Sequence, residues 1–119
     1  MPNFYNAPEI SIHEVERKLK ADEKFVLLDV REPAELNKAK LSHPNLILTP
    51  LSELTEKKLE ALPGIVHSKE HEIVVICHHG IRSALVTAWL LNEGWQNVYS
   101  MAGGLAAYAS EIEPSIGKY

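Results

Sequence analysis

The chain has 119 residues, 45% of them hydrophobic and 24% charged, with a formal net charge of −4. That length suits one domain, residues 1–119, able to bury a core without disulfide or metal staples. The acidic balance gives no support to a general nucleic-acid footprint, and the densest basic group, "ERKLK" at 16–20, alternates with acid as a solvated helix face does.

In chain order, residues 1–8 read as a loose start with neither a basic n-region nor an apolar h-region. "SIHEVERKLK" then opens with Ser11 and places Glu14 at capping-box spacing, with Ile12, Val15 and Leu19 recurring on one helix face. "KFVLLDV" (24–30) is a short apolar run of the kind that forms a strand buried on both faces of a parallel sheet. "REPAEL" follows, where Pro33 suits a turn into a helix. "LILT" (46–49), "EIVVIC" (72–77) and "NVYSM" (97–101) repeat the strand pattern. "LSELTEKKLEAL" (51–62) predicts a helix that stops at Pro63-Gly64, and 63–71 predicts a loop. "SALVTAWLLNEG" (83–94) predicts another helix, ended by Gly94 as a left-handed C′ residue. Strand and helix alternate, which predicts an α/β fold. The longest apolar run, 84–91 with one Thr in it, is too short to cross a bilayer.

The only cysteine, Cys77, falls at the carboxyl end of the predicted strand 73–76, the edge where open α/β sheets bind ligands. The turn "HHGIR" must then reverse the chain within a few residues. Gly80 permits a positive φ there, so successive backbone N–H groups turn inward as an anion-binding nest. The helix beginning near Ser83 adds its partial positive charge and Arg82 a full one. Such a cradle favours a thiolate over a thiol, and it equally suits an anionic substrate or a charged adduct on the sulfur. Taken without context, a lone cysteine after an apolar strand is more often a small buried hydrophobe. The string C-x-x-G-x-R-S between strand and helix reverses those odds.

These residues resemble the single-domain rhodaneses, a sulfurtransferase family. The likeness covers nearly the whole chain in four ordered segments: "ISIHEV", "LLDVREPAEL", "VVICHHGIRSALVTAWLLNEGWQNVYSMAGG" and "GGLAAY". The resemblance implies a rhodanese-like α/β fold, a five-stranded, mainly parallel sheet flanked by helices on both faces. It implies that Cys77 carries sulfane sulfur as a persulfide in a two-step covalent transfer. The donor would be a small anion such as thiosulfate, and the acceptor cyanide, a thiol or a protein. By the same resemblance His78, His79, Gly80, Ile81, Arg82 and Ser83 form the active loop and bind anions. Asp29 and Arg31 match a strand-end pair that braces this loop; an ordinary ion pair and turn cap is the plainer alternative. No cofactor is implied.

Other chemistries fit less well. Phosphatase loops of related design place five residues between cysteine and arginine, whereas only four intervene here. Disulfide exchange lacks a second cysteine to resolve a mixed disulfide. The run Cys77-His78-His79 and the pair His67/His71 lack the spacing of a zinc site, so no metal is expected. One cysteine and no membrane-spanning run predict a soluble, cytoplasmic protein in a reducing compartment. Two places depart from the family pattern: "AKL" (39–41) stands where a Gly-His-Ile turn is common, and Tyr108 stands where a Trp is common. Trp89 and Trp95 read as packing residues, and Gly103-Gly104 as a close approach before the last helix. Beside the enzyme reading stands a second class: a rhodanese-fold sulfur carrier or interaction module with little thiosulfate turnover.

Overall fold

The computed structural model describes residues 6–21, 23–41, 43–67 and 69–117. Five strands form one sheet: β1 (Glu9–Ile10), β2 (Val26–Asp29), β3 (Leu46–Leu48), β4 (Ile73–Ile76) and β5 (Val98–Met101), in the order β1-β5-β4-β2-β3. Every strand pairing within it is parallel. The helices are α1 (Ile12–Lys20), α2 (Leu51–Lys57), α3 (Ile81–Asn92) and α4 (Gly104–Glu111).

The continuous apolar runs of β2 and β4 are explained by the two faces they serve, because successive strand residues point to opposite sides. Val26 and Leu28 of β2 and Ile73 and Val75 of β4 pack with Leu54 of α2 and with Val86 and Leu90 of α3. The intervening Leu27, Val74 and Ile76 pack with Ile12 and Val15 of α1 and with Leu105 and Tyr108 of α4. Each fully buried aliphatic side chain contributes about 1.5–3 kcal/mol, so both layers are needed and neither face of the sheet stays wet. Trp95 lies in the first cluster and donates its indole N–H to the Val66 carbonyl at 2.7 Å. Tyr108 is buried in the second.

The chain passes from β2 outward to β3, returns to place β4 on the other side of β2, and continues to β5. The strand order therefore reverses between β2 and β4, and the crevice at their carboxyl ends is the switch point of the fold. Asp29 ends β2 and Cys77 directly follows β4, so both expected site elements reach that crevice.

Several local expectations are corrected. The edge strand β1 has only two residues and no sequence period; its pairing with Ser100 and Met101 creates it. The segment after Pro33 is a 3₁₀ turn (Pro33–Asn37), not an α-helix. The helix predicted over 51–62 breaks after Lys57, where Lys58 has φ +57°, and a 3₁₀ turn (Lys58–Ala61) follows. The predicted loop 63–71 contains another, Gly64–His67. Helix α3 starts at Ile81, two residues before Ser83.

At α1, Ser11 accepts from the Glu14 N–H at 3.1 Å as expected, but the Glu14 carboxylate turns to Arg17 at 2.7 Å. The face expected to be solvated also loses one member: Lys18 is buried, paired with Glu23 and Glu72, and lies over the Phe25 ring. Burial alone lowers the Lys18 pKa, and the two carboxylates outweigh it, so the net displacement is upward.

Candidate active site

The loop after β4 wraps around the sulfur of Cys77, which is 1% exposed. Gly80 adopts φ +94°, a conformation that glycine reaches without a Cβ penalty. Its N–H thereby turns inward and donates to Cys77 Sγ at 3.1 Å, and the Ser83 N–H donates to the same sulfur at 3.3 Å. The thiol itself donates to Ser83 Oγ at 3.4 Å. Two fixed backbone donors at the first turn of α3 thus converge on one atom, an arrangement that rewards negative charge on sulfur.

Behind Ser83 lies a residue that sequence reasoning did not single out. Ser100 Oγ, wholly buried on β5, shares a 2.7 Å hydrogen bond with Ser83 Oγ. A serine within "VYSM" carries no signal of this role, because only the packing of β5 against the start of α3 brings the two hydroxyls together.

The amino end of α4 supports the loop from the other side. Leu105 N–H donates to the Cys77 carbonyl at 2.8 Å and Ala106 N–H to the His78 carbonyl at 3.0 Å. The loop thus caps helix donors that have no partner within α4. Gly104, at φ +64°, makes this approach possible, since a Cβ there would collide with the His78 carbonyl oxygen and lie 2.6 Å from that of Cys77.

Asp29 and Arg31 are both fully buried and form a two-point pair, with Arg31 Nη2 to Asp29 Oδ2 at 2.8 Å and Nε to Oδ1 at 3.0 Å. Arg31 also donates through Nη1 to the Ala39 carbonyl at 2.6 Å and to the Glu35 carbonyl at 3.4 Å. Its guanidinium therefore holds the Pro33–Asn37 turn against the end of β2. That turn presents Glu35, whose carboxylate takes two hydrogen bonds from Arg82, at 2.6 and 2.7 Å. The expected pair thus reaches the loop through Glu35. The signal was present in "REPAEL", but its partner 47 positions away was not legible.

His78 is half-buried and stacks on the exposed His79, ring centroids 3.7 Å apart. Burial pushes the His78 pKa down, and the neighbouring positive charges of His79, Arg82 and Arg31 add to this against the opposing Glu35. Ile81 projects outward from the same loop, 67% exposed. No group of three or more His, Cys, Asp or Glu side chains with a metal-holding arrangement occurs among the described residues. His67 instead meets the Leu62 carbonyl at 3.0 Å.

A doubly wound parallel sheet whose switch point holds a cysteine with two backbone N–H groups aimed at its sulfur defines a class of thiol-bearing α/β domains. Within that class, residues 11–111 match the family model "Rhodanese-like domain", and the chain belongs to this rhodanese-like family of sulfurtransferases and sulfur carriers. It is 33% identical to the putative sulfurtransferase YtwF of Bacillus subtilis (strain 168), covering 89% of this chain and 94% of that protein. It is 32% identical to the putative sulfur carrier protein YrkF of the same organism, covering 93% of this chain and 56% of that protein. The chain thus spans about half the length of YrkF, and it covers 37% of an Arabidopsis thaliana rhodanese-like/PpiC domain-containing protein. A crystal structure of a rhodanese-related protein from Thermoplasma volcanium superposes with a TM-score of 0.66 at 31% identity, over 90% of this chain and 95% of that one. Among the described residues no helix is long and apolar enough to cross a membrane.

Proposed function

We propose that the protein is a sulfurtransferase that moves sulfane sulfur from a small anionic donor such as thiosulfate to cyanide or a thiol through a persulfide on Cys77. The observation that carries this reading is the pair of N–H donors, Gly80 and Ser83, aimed at Cys77 Sγ at 3.1 and 3.3 Å. In the first half-reaction the Cys77 thiolate attacks the outer sulfur of thiosulfate, the donor's S–S bond breaks, and sulfite leaves with the bonding pair. In the second, cyanide or a thiolate attacks the terminal sulfur of the Cys77 persulfide. Thiocyanate or a new persulfide forms, and the Cys77 thiolate returns.

Each half-reaction passes through negative charge on sulfur, and the loop donors are fixed before that charge develops, so they reorganise little when it does. Arg82 keeps the loop in place through Glu35, its positive charge adding to the field around the sulfur. Asp29 and Arg31 act on the same loop indirectly. The whole chain acts as one domain in this reading, with the single thiol kept reduced in the cytoplasm.

A second reading is favoured by one observation: Ile81, a large apolar residue exposed at the start of α3 on the loop that follows Cys77, with Leu85 exposed one turn further along that helix, suits a protein that docks to deliver or collect sulfur. One mass measurement tests both. Incubated with excess thiosulfate and desalted, the protein is expected to gain about one sulfur atom that cyanide removes as thiocyanate, and Cys77→Ser to gain none. No gain, with the thiol free to alkylate, would reject thiosulfate transfer and leave the protein-fed carrier.

A further inference from the structure

Ser100 occupies a position in the sheet whose neighbours are apolar. It lies opposite Val75 in the parallel pairing of β4 with β5, and it shares a sheet face with Val98, two residues earlier on its own strand. Val75, Val98 and Cys77 belong to the apolar cluster on that face, together with Val86 and Leu90 of α3. Ser100 is wholly buried there. A hydroxyl in such a place costs free energy unless it is hydrogen-bonded.

Among the described residues its partner is Ser83, with the two oxygens 2.7 Å apart and either able to donate. Ser83 Oγ in turn meets Cys77 Sγ at 3.4 Å. One sulfur and two oxygens thus form a row, Cys77 Sγ, Ser83 Oγ and Ser100 Oγ, joined by two hydrogen bonds. Both serines are fully buried, so the oxygen end of the row is shielded from bulk water. Such pairing is not automatic on this helix. Thr87, one turn beyond Ser83, buries an Oγ1 that has no partner among the described residues.

The direction of the row follows the charge on sulfur. With Cys77 protonated, S–H donates to Ser83 Oγ and the Ser83 hydroxyl donates onward to Ser100 Oγ. Three donor hydrogens then share two links, and the Ser100 hydrogen has no place in the row. With the sulfur ionised, Ser100 donates to Ser83 and Ser83 donates to sulfur, so two hydrogens fill two links. The thiol proton goes to water, no proton passes between the oxygens, and the two hydroxyls only rotate. A hydroxyl that accepts one hydrogen bond is polarised and donates a stronger one. The same arrangement serves the Cys77 persulfide, whose Sγ carries no hydrogen and can only accept.

We propose that Ser100 is a positioning residue for the sulfur chemistry, aiming the Ser83 hydroxyl at Cys77 Sγ as a reversible third donor beside the fixed N–H groups of Gly80 and Ser83. Its effect on sulfur transfer rests on the sulfurtransferase reading; its effect on the ionisation of Cys77 does not.

The ultraviolet absorbance of the thiolate, titrated against pH with Cys77→Ser as the blank, tests the proposal on the full chain. Its source is single, because Cys77 is the only cysteine. In Ser100→Ala the rise is expected at a pH higher than in the wild type by about half a unit or more, which is about a threefold or greater fall in the thiolate fraction below the midpoint. Ser83→Ala is expected to move the rise further. The double variant Ser83→Ala/Ser100→Ala is expected to go no further than Ser83→Ala, since Ser100 acts through Ser83. Thr87→Val, which removes a buried hydroxyl outside the row, is expected to leave the titration in place. The charged and titratable groups of the surrounding turns, Asp29, Arg31, Glu35, His78, His79 and Arg82, are the same in all these proteins. Below the midpoint, thiosulfate loading of Ser100→Ala is expected to slow by the factor that its thiolate fraction falls.

Coincident titrations of wild type and Ser100→Ala, additive displacements in the double variant, or an equal displacement in Thr87→Val overturn the proposal. A wild type that takes up no sulfur defeats the sulfurtransferase reading on that result alone. The absorbance titration, made without thiosulfate, then still decides whether Ser100 acts on the sulfur.

Discussion

Glu35 and Arg82 stand 47 positions apart and meet in a two-point ion pair of 2.6 and 2.7 Å, tying the turn after β2 to the loop that holds Cys77. The guanidinium side chain is 31% exposed and the carboxylate side chain 21%, so solvent screens part of the attraction. Its value lies in placing the loop more than in stabilising the fold. Glu35→Gln should therefore cost only about 1 kcal/mol in urea unfolding. The same substitution should slow sulfur loading of Cys77 by about tenfold or more, because a small displacement of the donors weakens a prearranged site. Loading at the wild-type rate would reduce the pair to an ordinary surface contact.

Asp29 and Arg31 give the opposite balance. Both are fully buried, and Arg31 also satisfies the Ala39 and Glu35 carbonyls. Asp29→Asn leaves a buried guanidinium without its counter-charge, at an expected cost of about 3–5 kcal/mol in equilibrium unfolding. A loss below about 1 kcal/mol would mean that the guanidinium finds another partner or water.

Gly104 carries the contact between α4 and the loop. Gly104→Ala combines a residue at φ +64° with a Cβ forced against the Cys77 and His78 carbonyls. The expected destabilisation is about 2–4 kcal/mol, accompanied by faster alkylation of Cys77 as the loop lifts from α4. Thermal unfolding and iodoacetamide kinetics on the same samples check both parts. Unchanged kinetics with lowered stability would separate the helix contact from protection of the thiol.

His78 gives a pH dependence. Its pKa is lowered from the ordinary 6.5 by burial, then by the positive charges around it, with Glu35 opposing. The unfolded chain therefore binds the His78 proton more readily than the folded one, and stability rises with pH through the interval between the two values. This contribution is complete above about 6.5 and is lost as pH falls from there through the folded value. The difference in unfolding free energy between wild type and His78→Gln should accordingly shrink, or turn against the wild type, between about pH 7 and pH 5. A constant difference across that range would show that His78 titrates alike in both states.

Local chemistry made much of this protein legible in its sequence. Four apolar runs marked strands β2 to β5, Ser11 and Gly94 marked helix ends, and Cys77 with Gly80 and Ser83 marked a thiol loop at a strand's carboxyl edge. These features are local: strand period, capping spacing and a glycine's positive φ act over a few neighbouring residues. Tertiary structure decided what depends on distant partners. Strand β1 exists because β5 offers it an edge, and Lys58 ends α2 in a conformation that its residue type does not announce. Glu35 reaches Arg82, and Ser100 reaches Ser83, only after β2, β4 and β5 lie side by side. A cavity beside His78 needs the closest assembly, because its wall forms when Gly117 pairs with Ala39 across most of the chain's length. Contacts of that range follow from packing the sheet and helices together, and no short window of sequence contains both partners.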